Sequence, residues 1–334
     1  MEPVRTALVG FGWWGRKMAT LLLDQPTSLA LVAIVEPALD VARDFAATHG
    51  LRLEADLDTI VADASIEAVI LATPHALHEA QIAAAVNAGK HVFCEKPLSL
   101  TRSGAEHAVR LCAQAGLVLG MGHERRFEPP MAELLHAADN GRLGRLLQIE
   151  ANFSHDKFLG LDPSNWRLHP DQAPAGGMTA TGIHLTDLAI RLMGPAASVL
   201  ATTENLASAL PSGDTMSAYV RFKAGGTAYV SATLATPFVS RFAVYGTRGW
   251  LEIRDRAHVE APDGWVVTSG ETGAPIRTET VGKAEAVAAN LAAFGHAVRG
   301  TAPYPITGQE MIDNISLLEA IIRSARSGRA ETVG

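Results

Sequence analysis

Arg5-Thr6-Ala7-Leu8-Val9-Gly10-Phe11-Gly12-Trp13-Trp14-Gly15 joins a short strand pattern to three glycines spaced G-x-G-x-x-G, and a helical pattern from Trp14 to Leu23 follows at once. The spacing alone is weak. In this setting it is strong, because the three glycines serve three different needs, namely a tight turn, close approach of backbone to a pyrophosphate, and close contact between helix and strand. The phosphates would rest on the helix N-terminus, where free N–H groups and the macrodipole favour negative charge. Phe11, Trp13 and Trp14 belong to the same loop; the tryptophans could stack on a base, and one of them is expected to pack beneath the loop.

Glu36 ends the second strand pattern, 21 residues beyond Gly15, where a carboxylate accepts hydrogen bonds from an adenosine ribose. It would repel a 2′-phosphate, and no arginine follows it closely in Pro37-Ala38-Leu39-Asp40, so NAD is expected over NADP. Further along, β-branched runs alternate with Ala/Leu-rich helical stretches. Strands are predicted at Arg5 to Val9, Ala30 to Val35, Ala68 to Leu71, His91 to Cys94 and Val118 to Met121, and helices at Trp14 to Leu23, Leu77 to Ala88 and Ser103 to Ala115. That alternation specifies an α/β domain on a doubly wound parallel sheet of Rossmann type, over residues 1–122.

After Pro129 and Pro130 the pattern changes. One helix to about Asn140, a strand from Leu146 to Ser154, a loop-rich stretch to Gly177 and a helix from Gly182 to Met193 precede several consecutive strands over residues 197–268. Helical stretches around Ala284 to Val298 and Gly308 to Ser327 close the chain. Residues 123–334 thus read as an α+β domain on a largely antiparallel sheet, expected to bind substrate. Apolar residues alternate along its strands, and an uncovered sheet face of that kind is a usual surface for a homodimer or homotetramer.

At 334 residues the chain exceeds the size at which one hydrophobic core usually stops growing, which favours two domains. A net charge of −7 without a dense Lys/Arg cluster argues against nucleic acid and anionic membranes as partners. The apolar runs are strand-length, far short of a membrane span, and no export signal opens the sequence, so a cytoplasmic protein is expected. Cys94 and Cys112 provide neither metal spacing nor a disulfide framework. His123-Glu124-Arg125-Arg126-Phe127 has Phe127 where a zinc-protease helix would place its second histidine, so no metal is implied.

Lys96 stands just past the strand His91 to Cys94, at the end where open α/β sheets bind ligands. A lysine there can exchange a proton with a substrate hydroxyl while hydride moves to or from a nicotinamide. Its ordinary pKa of about 10.4 would have to be lowered by burial and by the positive charge of the oxidised ring. The stretch Ala72-Thr73-Pro74-His75 through His78, continuing with Gly89-Lys90-His91-Val92-Phe93-Cys94-Glu95-Lys96-Pro97, resembles the glucose-fructose oxidoreductase, inositol dehydrogenase and MocA family. Arg125-Arg126-Phe127, Trp166-Arg167, Gly176-Gly177 and Gly182-Ile183-His184 extend that likeness over nearly the whole chain.

The resemblance implies a dehydrogenase acting on a secondary alcohol or ketone of a sugar, inositol or related cyclic polyol, with Lys96 and His184 as catalytic residues. It implies that Thr73, Pro74, His75, His78, Glu95 and Lys96 join the glycine loop around the cofactor. His78 is expected to tie the loop down. Arg126, His155, Trp166, Arg167 and Thr181 are candidates for the substrate wall, since guanidinium forks and flat aromatic faces bind polyols and acidic sugars. Two departures stand out: Ala180 occupies the place of an aspartate four residues before His184, and His75 that of an asparagine. Two alternatives remain open, a redox-assisted glycosidase or lyase with tightly held NAD and a non-catalytic NAD-dependent sensor.

Overall fold

The computed structural model describes residues 2–25 and 28–334. The chain forms two compact units, the first comprising the chain up to Glu124 together with Val287–Ile312, the second Arg125–Ala286 together with Asp313–Gly334.

The sheet of the first unit contains β1 (Val4–Val9), β2 (Leu29–Val35), β3 (Arg52–Glu54), β4 (Ala68–Leu71), β5 (His91–Cys94) and β6 (Leu119–Met121), in the order β3-β2-β1-β4-β5-β6. All neighbours pair in parallel. Helices α1 (Trp13–Asp24), α2 (Arg43–His49), α3 (Leu57–Val61), α4 (His78–Asn87) and α5 (Arg102–Gln114) make the crossovers. The predicted strands and helices recur within two residues at each end, whereas β3, α2 and α3 are too short to leave a periodic pattern. All four residues of β4 are buried, the mark of a parallel strand covered on both faces. The order reverses between β1 and β4, which places the ligand crevice of such a sheet at the carboxyl ends of those strands.

The second unit holds α6 (Pro129–Asp139), β7 (Leu146–Ser154), α7 (Ile183–Met193) and the strands β8 (Ala196–Glu204), β9 (Thr215–Phe222), β10 (Thr227–Thr233), β11 (Val239–Gly246), β12 (Gly249–Asp255), β13 (Trp265–Glu271) and β14 (Arg277–Val281). With β15 (Glu331–Thr332) the sheet order is β14-β13-β12-β11-β7-β10-β9-β8-β15. Every pair is antiparallel except β7 with β10. Alternation decides the faces: Met216, Ala218, Val220, Ala228 and Val230 are buried on one side, while Tyr229 and Leu200 are 51% and 44% exposed on the other.

The last two helices are α8 (Ala286–Val298) and α9 (Gly308–Ser327). A single boundary near residue 122 therefore needs correction, because most of α8 belongs to the first unit. Its role there is physical. Phe294 packs edge-on against Phe93 with ring centroids 5.7 Å apart, Asn290 Nδ2 donates to the Met121 carbonyl at 2.9 Å, and the Tyr304 hydroxyl accepts from Met121 N–H at 3.0 Å. These groups cover β6, the sheet's edge. Sequence periodicity marks α8 as a helix without saying which sheet it covers. Among the described residues no helix is long and apolar enough to cross a membrane.

Candidate active site

The glycine loop is built as its spacing predicts. Gly10 has φ +91°, and a Cβ there would stand 2.7 Å from the Ala72 carbonyl oxygen; a Cβ on Gly15 would collide with the Gly10 carbonyl. Gly12 differs, since nothing lies within 4 Å of where its Cβ would be. It is the N-cap of α1 and no side chain caps that helix. An open space above uncapped N–H groups fits a pyrophosphate. Phe11 is buried, Trp14 half-buried and Trp13 48% exposed, with the two indoles edge-to-face at 5.2 Å, so Trp14 is the more buried of the pair.

Glu36 is held on both oxygens, accepting from Phe11 N–H at 2.9 Å and Ala38 N–H at 3.1 Å. Each oxygen keeps a lone pair for a ribose hydroxyl. Arg16, missed in the sequence, stands nearby: its guanidinium lies 4.6 Å from the Phe11 ring centroid and donates to the Val41 carbonyl at 2.9 Å. Its place directly after Gly15, on the first turn of α1, was the available signal.

At the end of β4, the Thr73 hydroxyl donates to Gln81 Oε1 at 2.5 Å, and Pro74 leads into a turn of 3-10 helix at His75–Leu77. His75 and His78 are buried, with ring centroids 6.0 Å apart. At the end of β5, Glu95 N–H bonds the Leu71 carbonyl at 2.9 Å, and the Glu95 carboxylate accepts from Lys96 N–H at 3.2 Å. That carboxylate lies against Gly122, where a Cβ would stand 2.5 Å from it. Lys96 is half-buried and its peptide bond to Pro97 is cis. The first unit therefore gathers the loop, Glu36, Thr73 to His75, Glu95 and Lys96 along its strand ends, while His78, which the resemblance also put around the cofactor, is fully buried with both ring nitrogens at backbone carbonyls. The adjacent Cys94 thiol is buried, which pushes its pKa well up and leaves it a poor nucleophile.

The second unit carries the remaining candidates. Residues Met178–Gly182 form a π-helical turn, not foreseen from the sequence, that feeds α7 and places buried His184 in its first turn. Such turns recur at functional sites. Just before it, Ala175 takes a left-handed φ of +59°. The Thr181 hydroxyl donates to the Phe153 carbonyl at 2.7 Å. Arg126 is engaged with Asp187 through two parallel bonds, Nε to Oδ2 and a terminal nitrogen to Oδ1, each 2.7 Å, and both residues are buried. A fork used in this way anchors α7. The Arg167 guanidinium lies 4.3 Å from the Trp166 ring centroid, and Asn165 Oδ1 accepts from Arg167 N–H at 3.1 Å.

His155 is buried among Phe153, Phe158 and His258, the last contributed by the turn after β12 and not singled out in the sequence. Ala180 packs on an apolar cluster of Leu168, Leu210 and Leu234, flanked by Phe158 and Leu161. Among the described residues no group of three or more His, Cys, Asp or Glu side chains could hold a metal ion.

Known proteins share the sequence pattern and the fold of this chain. The model of an oxidoreductase family with an NAD-binding Rossmann fold matches residues 4–123, and that of the GFO/IDH/MocA C-terminal domain matches residues 131–252. The chain is 27% identical over 310 residues to 1,5-anhydro-D-fructose reductase of Ensifer adhaerens, covering 91% of each. It is 28% identical to an NADP-dependent D-xylose 1-dehydrogenase of Haloferax volcanii, covering 82% of each. A levoglucosan dehydrogenase solved with NADH and L-sorbose superposes with a TM-score of 0.88 at 21% identity over the full length of both chains, which shows a shared fold.

Proposed function

Because this chain belongs to the GFO/IDH/MocA family of oxidoreductases, we propose that it moves hydride between NAD and a secondary alcohol or ketone of a sugar, inositol or related cyclic polyol. The observation that carries the reading is the placement of Gly12, Glu36 and Lys96 at strand ends of one parallel sheet. A bound nicotinamide would accept or supply the hydride. The chain's own residues do the rest. Gly12 and the first turn of α1 bind the phosphates, and Glu36 accepts from the ribose hydroxyls and favours NAD over NADP. Lys96 takes the hydroxyl proton at Nζ as an alcohol is oxidised and returns it as a ketone is reduced. His184 is the second proton-handling group, and the Trp166–Arg167 face together with His155 contacts substrate.

The Haloferax relative is NADP-dependent, and Arg16 beside the Glu36 loop supplies a cation that a 2′-phosphate could use, so the expected preference for NAD is modest. The outer face of the second sheet, with Leu200 and Tyr229 exposed, is proposed as the contact of a homodimer or homotetramer.

The test is NADH formation over a panel of aldoses, anhydro sugars, inositols and uronic acids. Lys96→Ala is expected to keep NAD affinity within a fewfold and lower kcat by roughly 10² on the best substrate. Unchanged turnover would remove Lys96 from the mechanism. Bond cleavage without net NADH release would favour the glycosidase or lyase alternative.

A further inference from the structure

His78 begins α4 with its ring fully buried. Nδ1 lies 2.7 Å from the Pro97 carbonyl oxygen and Nε2 lies 3.1 Å from that of Thr73. Both partners can only accept, whereas a neutral imidazole carries one N–H. Charging the ring would satisfy both carbonyls, but burial disfavours the cation and holds its pKa below the ordinary value against their pull. The neutral ring therefore serves one carbonyl at a time, and the shorter contact assigns the proton to Nδ1, facing Pro97. The next residue reinforces the grip: Glu79 Oε1 accepts from the Ser99 hydroxyl at 2.6 Å, and Ser99 Oγ accepts from Thr101 N–H at 2.9 Å. Two consecutive side chains of one helical turn thus hold the loop that follows β5 at Pro97 and Ser99.

We propose that His78 is a positioning residue for Lys96: by donating from Nδ1 to the Pro97 carbonyl, it fixes the loop that carries the lysine at the carboxyl end of β5. The inference rests on the reading of Lys96 as the proton-exchanging group. A histidine that did no more than fill the core would need neither nitrogen aimed at this carbonyl, and an asparagine or glutamine could then replace it equally well or badly.

That difference supplies the test. The asparagine amide superposes on Nδ1 and the glutamine amide on Nε2, so His78→Asn keeps a donor for Pro97 while His78→Gln keeps one for Thr73. Hydrogen exchange of the peptide spanning residues 95–101 is read by mass spectrometry alongside kcat, KM and NADH affinity by fluorescence. Expected for His78→Gln is at least about tenfold faster exchange in that peptide, with kcat down about tenfold to a hundredfold, since small misplacement of a reacting group is costly. KM and NADH affinity should stay within threefold, exchange in β1 and β9 should be unchanged, and His78→Asn should restore most of both losses.

Equal behaviour of the two variants, or better recovery by glutamine, would overturn the proposal. So would faster exchange of the loop with kcat intact. Lys96→Met serves as the control: full turnover in that variant refutes the role of Lys96 itself, while the exchange comparison still reports whether His78 holds the loop.

Discussion

A carboxylate is missing from position 180, and the neighbours of Ala180 indicate what its return would cost. Leu168, Leu210, Leu234, Phe158 and Leu161 offer no hydrogen-bond donor from their side chains. Ala180→Asp should lower stability by about 1–3 kcal/mol at pH 7 through desolvation of the carboxylate. The pKa of the new group would be raised in the folded protein, so the loss is full at neutral pH and shrinks as pH falls through that raised value. Urea unfolding at pH 7 and pH 4.5 checks this; an equal loss at both would mean the carboxylate reaches water. At this scale the sequence is most informative where a residue's role is local. Gly10, Gly12 and Gly15 are legible because their spacing between a strand and a helix is itself the signal, within a few residues of sequence. Arg126 is not, because its fork closes on Asp187, 61 residues away, and nothing in its own neighbourhood announces that partner.

Elements were legible in proportion to their length. The five crossover strands and their long helices could be placed from periodicity, while β3 and β15, with three and two residues, have no period to detect. The π turn at Met178–Gly182 escapes for another reason: no residue spacing marks it, and its approach to β10, where a Cβ on Gly177 would stand 2.6 Å from Ala232, is a contact between distant residues. The contact of α8 with β5 and β6 makes a testable case. A Cβ on Gly120 would stand 2.7 Å from the rings of both Phe93 and Phe294, so the strand approaches the helix only because that position is bare. Gly120→Ala is expected to cost about 1–3 kcal/mol by overpacking, and Phe294→Leu in the same chain to recover part of it. A double-mutant cycle measured by urea unfolding would show coupling; strict additivity would mean that the strand yields without touching Phe294.

At the scale of the molecule, the first unit is closed by residues far apart in sequence. Arg299 donates to both oxygens of Glu67, at 2.6 and 2.8 Å, and to the backbone carbonyls of Glu2 and Pro3. The Arg299 guanidinium holds the Glu67 carboxyl down to about 2. A lowered acid contributes stability above its ordinary value of 4.5 and loses it as pH falls toward 2. Because the pair is partly exposed, solvent screens it, and Glu67→Gln should cost about 1 kcal/mol at pH 7. That difference should vanish as both proteins are taken toward pH 2, as read from exchange protection in β1. Persistence of the full difference in acid would assign it to packing.

The discontinuity of this unit has a consequence for synthesis. When Glu124 has been made, the six strands exist, but Asn290, Phe294 and Tyr304, which cover β6, are still unmade. Roughly 160 residues of the second unit come first, a delay of about 10–30 s at 5–20 residues per second. Throughout that interval the nascent chain carries an uncovered strand edge and an exposed Phe93, a hazard for pairing with its neighbours on the same messenger. The first unit is complete only once Ile312 has been made, and the second only once C-terminal β15 has paired with β8, so neither half can close before nearly the whole chain exists.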